Sequence, residues 1–261
     1  MFNPATVCLG RKAIKTDSRT LRLDKYFTSL LPPPPKKRDW SRGVTSWGML
    51  GNGPDPTNPP YMKDGLGDCT IAGVGHGIQV WSLNVGAEAT ITTDQAVEYY
   101  EKWDGYDPSN PATDQGGICL DVLKAWKAQG FAGHSITAFA SVLPANQAHV
   151  KQAINLFGGL YTGVSLPITA QGQDVWDVVP NSGSDGVAGS WGGHCVYMVA
   201  YHPNGPTCIT WGGLQRMTWA FWSTYFDEAY AIISPDFINA AGMSPNGFAL
   251  AGLELDVTQI N

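Results

Sequence analysis

The order of two hydrophobic periodicities along the chain limits the folds that it can adopt. Residues 70–84 carry apolar side chains at helical spacing. A capping box that starts at Thr92 predicts a second helix to about Trp103, and 117–129 and 147–157 predict two more. The helical patterns therefore come first in the chain.

From residue 160 the pattern changes to short β-rich runs at 160–164, 195–201 and 208–211. Residues 219–233 predict a helix that runs into a strand at about residue 229. Helices first and strands later indicate an α+β fold, in which a helical half packs against an antiparallel sheet or barrel half.

The composition is that of a folded protein and not of a disordered one. Of the 261 residues, 43% are hydrophobic and 15% are charged, which provides material for a packed core. No apolar stretch approaches the roughly 18 residues that a membrane-spanning helix requires, so we expect no membrane contact. The first residues lack the pattern of a secretory signal, so we expect a cytoplasmic protein. The chain has five cysteines, an odd number, and no C-x-x-C pair, so we expect free thiols.

Charge is distributed unevenly between an N-terminal arm and the rest of the chain. Residues 1–45 contain ten Lys and Arg against three Asp, whereas residues 46–261 carry a net charge of −13. The run Pro32 to Pro35 favours an extended conformation for the arm. Turn-forming residues at 50–60 predict a boundary, so we divide the chain into a basic, Pro-rich arm at 1–58 and a folded domain at 59–261.

Three partners would suit the basic arm of residues 1–45. It could lie on its own acidic body, or bind another protein or a second copy of the chain, or contact nucleic-acid phosphate. The dispersed charge contains no motif of a nucleic-acid module, so nucleic acid is the least favoured of the three.

Two segments contain residues suited to nucleophilic catalysis. Cys69 follows a glycine-containing loop at the predicted start of a helix, where the helix N-terminus favours a thiolate. Asp68 beside it opposes that effect. His194 follows two glycines and enters a predicted strand, which would hold its imidazole firmly as a general base.

Together these segments resemble the papain-like cysteine peptidases over roughly residues 60–233. The landmarks occur in that family's order: Cys69, 115–117, 129–131, 160–165, 194–201 and 209–212. The chain also resembles a group of uncharacterised phage and bacterial proteins that share its Gly-Asp-Cys-Thr and Trp-Gly-Gly-His segments, which indicates a phage origin. No part of the arm resembles an inhibitory prosegment of the peptidases.

The resemblance implies that Cys69 is the nucleophile and His194 its base, as a thiolate–imidazolium pair that attacks an amide or ester carbonyl. Lys63 stands where the family has its oxyanion-hole glutamine. Ile209 stands at the position of the asparagine that orients the histidine, so Thr210, Asp185 or Asp64 would have to replace it. The resemblance also implies that Trp211 packs beside the site.

A zinc site is a further alternative, which spacing disfavours. The candidate ligands are Cys69, His76, His194, Cys195, His202 and Cys208. His194 and His202 are eight residues apart on one predicted strand, or roughly 26 Å at about 3.3 Å per residue. This separation is too large for one metal ion, so we expect no metal site. The sequence contains no phosphate-binding glycine motif, so we expect no nucleotide cofactor.

The sequence thus predicts a papain-like thiol hydrolase, a peptidase or amidase, encoded by a phage and acting in the host cytoplasm on a peptide or amide substrate. The alternative hypothesis is a catalytically silent virion or assembly protein of the same fold, in which the basic arm ties neighbouring subunits together.

Overall fold

The helices occur where the periodicity predicts them. The computed structural model describes residues 3–27, 33–44, 46–54 and 65–237. Its α-helices are α1 (Cys69–Asn84), α2 (Thr93–Asp104), α3 (Cys119–Gln129), α4 (Gln147–Phe157) and α5 (Trp219–Tyr225). The capping box is confirmed, because Thr92 accepts a hydrogen bond from the Gln95 amide and the Gln95 side chain accepts one from the Thr92 amide.

The strands form one nine-stranded sheet. They are β1 (Leu21–Arg22), β2 (Arg38–Asp39), β3 (Ala138–Ser141), β4 (Leu160–Leu166), β5 (Val175–Trp176), β6 (Gly192–His202), β7 (Gly205–Thr210), β8 (Gly213–Met217) and β9 (Phe226–Ile233). The order is β1-β3-β9-β4-β6-β7-β8-β5, and β2 pairs with β6 off this path. The predicted α+β class is confirmed.

The sheet departs from the sequence-based expectation at its edges. Its centre is antiparallel as predicted, but β1–β3 and β5–β8 pair in parallel over two residues each. No pattern in the sequence predicts β3, β5 or β8. These strands lie toward the ends of the sheet and contain only two to five residues. An alternation of apolar and polar residues over so short a stretch is not recognisable in the sequence.

Helix α1 is the centre of the core. Every residue from Cys69 to Ser82 is buried, and the Trp81 indole stacks on Trp126 and donates to the Phe157 carbonyl. A Cβ on Gly77 would lie 2.9 Å from the ring of Tyr197 in β6. Small residues therefore let α1 approach the sheet closely, as the sequence predicts.

The N-terminal arm lies on the body of the same chain. Its strands β1 and β2 join the sheet, and its ion pairs Lys15–Asp121 and Asp17–Lys124 connect it to α3. The domain boundary at residue 58 stays a prediction, since residues 55–64 lie outside the described part. No helix in the described ranges is long and apolar enough to cross a membrane.

We predict that Gly77→Val lowers the free energy of unfolding by about 1–3 kcal/mol, as overpacked cores do. The Tyr197 ring is 1% exposed and contacts Trp81 edge-on, so it has no space into which to retreat. Urea denaturation measures the change. Gly213→Ala is the control, because no atom lies within 4 Å of a Cβ there. Equal stabilities of the two variants would contradict this account of α1.

Candidate active site

Cys69 is the first residue of α1 and is completely buried. The backbone carbonyl of Asp68 accepts hydrogen bonds from the amides of Ile71 and Ala72, which fixes the start of the helix at Cys69. One turn further along α1, a Cβ on Gly73 would lie 3.3 Å from the Cys195 sulfur. The first turn of α1 therefore lies against β6 at the residue that follows His194.

His194 lies in β6 opposite Val164 of β4 and is 1% exposed. Its Nε2 is 2.7 Å from Thr210 Oγ1 in the neighbouring strand β7. The Trp211 indole stacks on the imidazole, with 4.4 Å between ring centroids and 14° between planes, as expected for this tryptophan. Thr210 and Trp211 thus restrain the ring, one at its edge and the other on its face.

The second imidazole nitrogen of His194 has no hydrogen-bond partner. Nδ1 is buried and forms no hydrogen bond within the described part of the chain. A buried polar atom left unpaired is unfavourable and is a recurrent feature of sites that act on a ligand. Nδ1 is consequently the nitrogen available to exchange a proton.

Burial keeps both groups uncharged in this structure. Desolvation raises the pKa of the Cys69 thiol well above its usual range, with the adjacent Cys195 adding to the effect. Desolvation lowers the pKa of His194 to about 3, and the charges of Arg11 and His76 contribute. Both shifts favour the neutral thiol and the neutral imidazole while the site is closed to water, and the thiolate–imidazolium pair that the resemblance implies stays a prediction.

A segment of the N-terminal arm closes the site. Residues 7–12, here called the cleft segment, pass beside Cys69 in an extended conformation. The Gly117 amide donates to the Gly10 carbonyl over 2.8 Å, and the Lys12 amide donates to the Gly117 carbonyl over 2.8 Å. On the other side, the Arg11 amide donates to the Gly193 carbonyl over 3.0 Å. The segment is thus hydrogen-bonded to both walls of a cleft.

Gly10 fits this cleft only because it has no side chain. A Cβ at this position would collide with the carbonyl of Gly67, two residues before Cys69. A Cβ on Gly116, where φ is +74°, would collide with the Gly10 carbonyl. Three glycines therefore bring the arm into contact with the loop before Cys69 and the loop before α3.

Asp114 connects these two loops. Its carboxylate accepts hydrogen bonds from the Gly67 amide over 2.9 Å and from the Tyr100 hydroxyl over 2.6 Å. The same hydroxyl accepts a bond from the Gly116 amide over 2.7 Å. Sequence reasoning missed this pair, because one Asp and one Tyr at unrelated positions form no recognisable pattern.

The remaining predicted site residues lie elsewhere or outside the described ranges. Lys63 and Asp64 are outside them. Asp185 is exposed in a 3₁₀ turn and accepts a bond from Ser184. Within the described ranges no three His, Cys, Asp or Glu side chains converge well enough to hold a metal ion, and none of the five cysteines forms a disulfide.

The architecture is the papain-like fold. Xylellain, a cysteine protease from Xylella fastidiosa, superposes with a TM-score of 0.58 at 14% identity, over 87% of this chain and 96% of that one. Procathepsin B S9 from Trypanosoma congolense gives 0.55 at 13% identity, over 87% and 86%. Procathepsin L 3 of Tenebrio molitor larval midgut gives 0.52 at 12% identity, over 84% and 75%. No family model and no curated protein sequence matches the chain.

We predict that His194 makes the protein less stable in acid. Burial lowers the pKa of His194 from its ordinary value of 6.5 to about 3 in the folded protein, so the unfolded chain binds an extra proton between these pH values. The free energy of unfolding therefore falls as pH falls through that window. In His194→Gln this fall is shallower, as urea unfolding at several pH values will measure.

The control for this prediction is His202→Gln, because His202 is exposed at the end of β6. Its pH dependence should match that of the wild type. If His194→Gln retained the full wild-type slope, the burial of a neutral His194 would be disproved.

Proposed function

We propose that this protein is a thiol-dependent peptidase or amidase in which Cys69 attacks and His194 transfers the proton. The observation that carries the proposal is the Nδ1 atom of His194, which has no hydrogen-bond partner in the described part of the chain and is buried in β6 next to Cys195, against the first turns of α1. Thr210 takes the orienting role, because its hydroxyl bonds the opposite nitrogen. Trp211 supports the same ring orientation by stacking.

The proposed reaction uses both imidazole nitrogens. In the tautomer that donates from Nε2 to Thr210, the Nδ1 lone pair takes the proton of Cys69. The sulfur attacks the substrate carbonyl, and the amide at the start of α1 stabilises the oxyanion. The imidazolium returns its proton to the leaving amine, which gives a thioester. Water then hydrolyses the thioester and regenerates the thiol, with His194 as base.

The cleft supports a peptide as the substrate. Backbone groups of Gly117 and Gly193 bond an extended chain from both sides. Such bonds recognise a main chain whatever its side chains are. A pocket of about 420 Å³ continues beside the cleft segment, lined by Val7, Cys8, Leu9, Gly67, Asp114, Gln115, Gly116 and Trp191.

The described state is, on this proposal, a resting one. The cleft segment occupies the place of a substrate and excludes water, and water exclusion keeps Cys69 protonated. Turnover requires displacement of the segment, after which solvent and substrate reach the sulfur. Lys63 as a second oxyanion donor, the phage origin and the cytoplasmic location stay predictions.

We predict that Gly10→Ala releases the cleft segment in the full-length chain, because its methyl group collides with the Gly67 carbonyl. Cys69 should then react with iodoacetamide at least about tenfold faster than in the wild type, since burial no longer suppresses the thiolate. The variant should also hydrolyse members of a fluorogenic peptide library. Peptide mass spectrometry measures the alkylation at each cysteine separately.

Two further variants make this result interpretable. Ala13→Ser changes an exposed residue of the same arm and should react as the wild type does. Gly10→Ala combined with Cys69→Ala should lose all hydrolysis. If Gly10→Ala exposes Cys69 but hydrolyses no peptide, the silent assembly protein becomes the better hypothesis.

A further inference from the structure

Arg11 places its buried side chain in an acidic pocket next to the cleft. Its Nη1 lies 2.9 Å from Asp227 Oδ1 and 2.9 Å from Glu228 Oε1, and its Nη2 lies 2.9 Å from Asp227 Oδ2 and 3.0 Å from Ser165 Oγ. The Arg11 side chain is 3% exposed and that of Glu228 is 6% exposed. We call Asp227, Glu228 and Ser165 the acidic pocket.

A β-bulge forms this pocket. Neighbouring residues of a regular strand point to opposite faces, so Asp227 and Glu228 should not bind one group. In β9, however, Glu228 pairs with Gly163 and Phe226 pairs with Val164, which leaves Asp227 as an extra residue. The bulge turns both carboxylates toward the same guanidinium.

Gly163 provides the space for the arginine stem. A Cβ at this position would lie 2.8 Å from Arg11 Cδ and 2.6 Å from Glu228 Cγ. The pocket thus has a narrow entrance for an aliphatic chain and two carboxylates beyond it. Its charges exceed what Arg11 alone neutralises.

The pocket needs a cation whenever the cleft segment leaves. Within the described part of the chain, Arg11 is the cation that pairs with Asp227 and Glu228. Removal of one partner from a buried ion pair leaves an uncompensated charge, which is strongly unfavourable. A ligand that displaces the segment is therefore favoured when it brings its own positive charge.

We propose that the acidic pocket selects peptide substrates that carry an arginine, and that Arg11 occupies this subsite in the resting chain. The inference rests on the proposed hydrolase function and adds its substrate class. Arg11 directly follows Gly10, which packs against the carbonyl of Gly67, two residues before Cys69, so the recognised side chain belongs close to the scissile bond.

The geometry favours arginine over lysine. Two nitrogens of Arg11 engage the two oxygens of Asp227, and one of them also reaches Glu228. A planar guanidinium fits such an arrangement, whereas an ammonium group offers one point of attachment. We therefore expect the order arginine, then lysine, then the neutral analogue citrulline.

The test uses full-length Gly10→Ala and fluorogenic peptides in which each position in turn is arginine, lysine or citrulline. At one position, kcat/KM should be at least about tenfold higher for arginine than for citrulline, because citrulline leaves the carboxylates unpaired. Adding Glu228→Gln or Asp227→Asn should reduce that ratio several-fold. Asp236→Asn is the matched control, because it removes a carboxylate from an ion pair with His134 and should leave the ratio unchanged.

A second measurement does not depend on hydrolysis. In full-length Arg11→Ala, ethylguanidinium has the shape of the deleted side-chain end and should raise the unfolding temperature saturably. It should not do so in the wild type, where the pocket is filled, or in Arg11→Ala with Glu228→Gln. Ethylurea, its neutral counterpart, should have no effect.

The outcomes separate the two proposals. Hydrolysis without an arginine preference, or a preference that survives both carboxylate substitutions, overturns the acidic-pocket inference and leaves the hydrolase intact. If iodoacetamide alkylates Cys69 rapidly in Gly10→Ala but the variant hydrolyses no peptide, the hydrolase proposal is overturned. The substrate assignment then fails with it. Failure of ethylguanidinium to stabilise Arg11→Ala overturns the claim that the pocket binds a free guanidinium.

Discussion

The close contact between α1 and β6 is the interaction on which the rest of the site depends. It brings the first residue of a buried helix against a buried strand at Cys195, one residue from His194. The contact is close because Gly77 presents only backbone to Tyr197 of β6, and Gly73 presents only backbone to Cys195 of β6 and Tyr161 of β4. A larger residue at either glycine would push α1 away from the sheet.

The same burial determines the chemical state of the site. Cys69 and His194 are both almost fully buried. Burial raises the pKa of the thiol and lowers the pKa of the imidazole, and both shifts favour the neutral forms. A helix N-terminus stabilises a thiolate by a modest amount, and it does not overcome full desolvation. The reactivity of the Cys69 thiol therefore depends on which peptide segment occupies the cleft. In this structure the occupant is the cleft segment, residues 7–12 of the same chain.

The sequence predicts the secondary structure of the body well because its patterns are long. The apolar stripe of α1 and the Thr92 capping box both predict helices whose bounds agree closely with the structure.

The contacts around the site are different, since they join residues far apart in sequence. Thr210 was one of three candidates for orienting His194, and only the pairing of β6 with β7 brings its hydroxyl to Nε2. Asp114 and Arg11 could not be found, because no local pattern connects either of them to Cys69. One signal was available: Asp227 and Glu228 are two adjacent carboxylates in an otherwise apolar strand.

The separation of charge along the chain has its explanation in these contacts. Opposite net charge alone would hold a basic arm on an acidic body only diffusely. Surface pairs such as Lys15–Asp121 contribute little because water screens them. Arg11 differs because its side chain and that of Glu228 are buried, and because backbone hydrogen bonds on both sides fix its position. Specific attachment of the arm therefore depends on one residue inside the cleft more than on the total charge. A competing ligand has to match the charge and shape of Arg11 as well as the extended backbone around it. The chemical identity of the ligand therefore determines whether it displaces the cleft segment and opens the site.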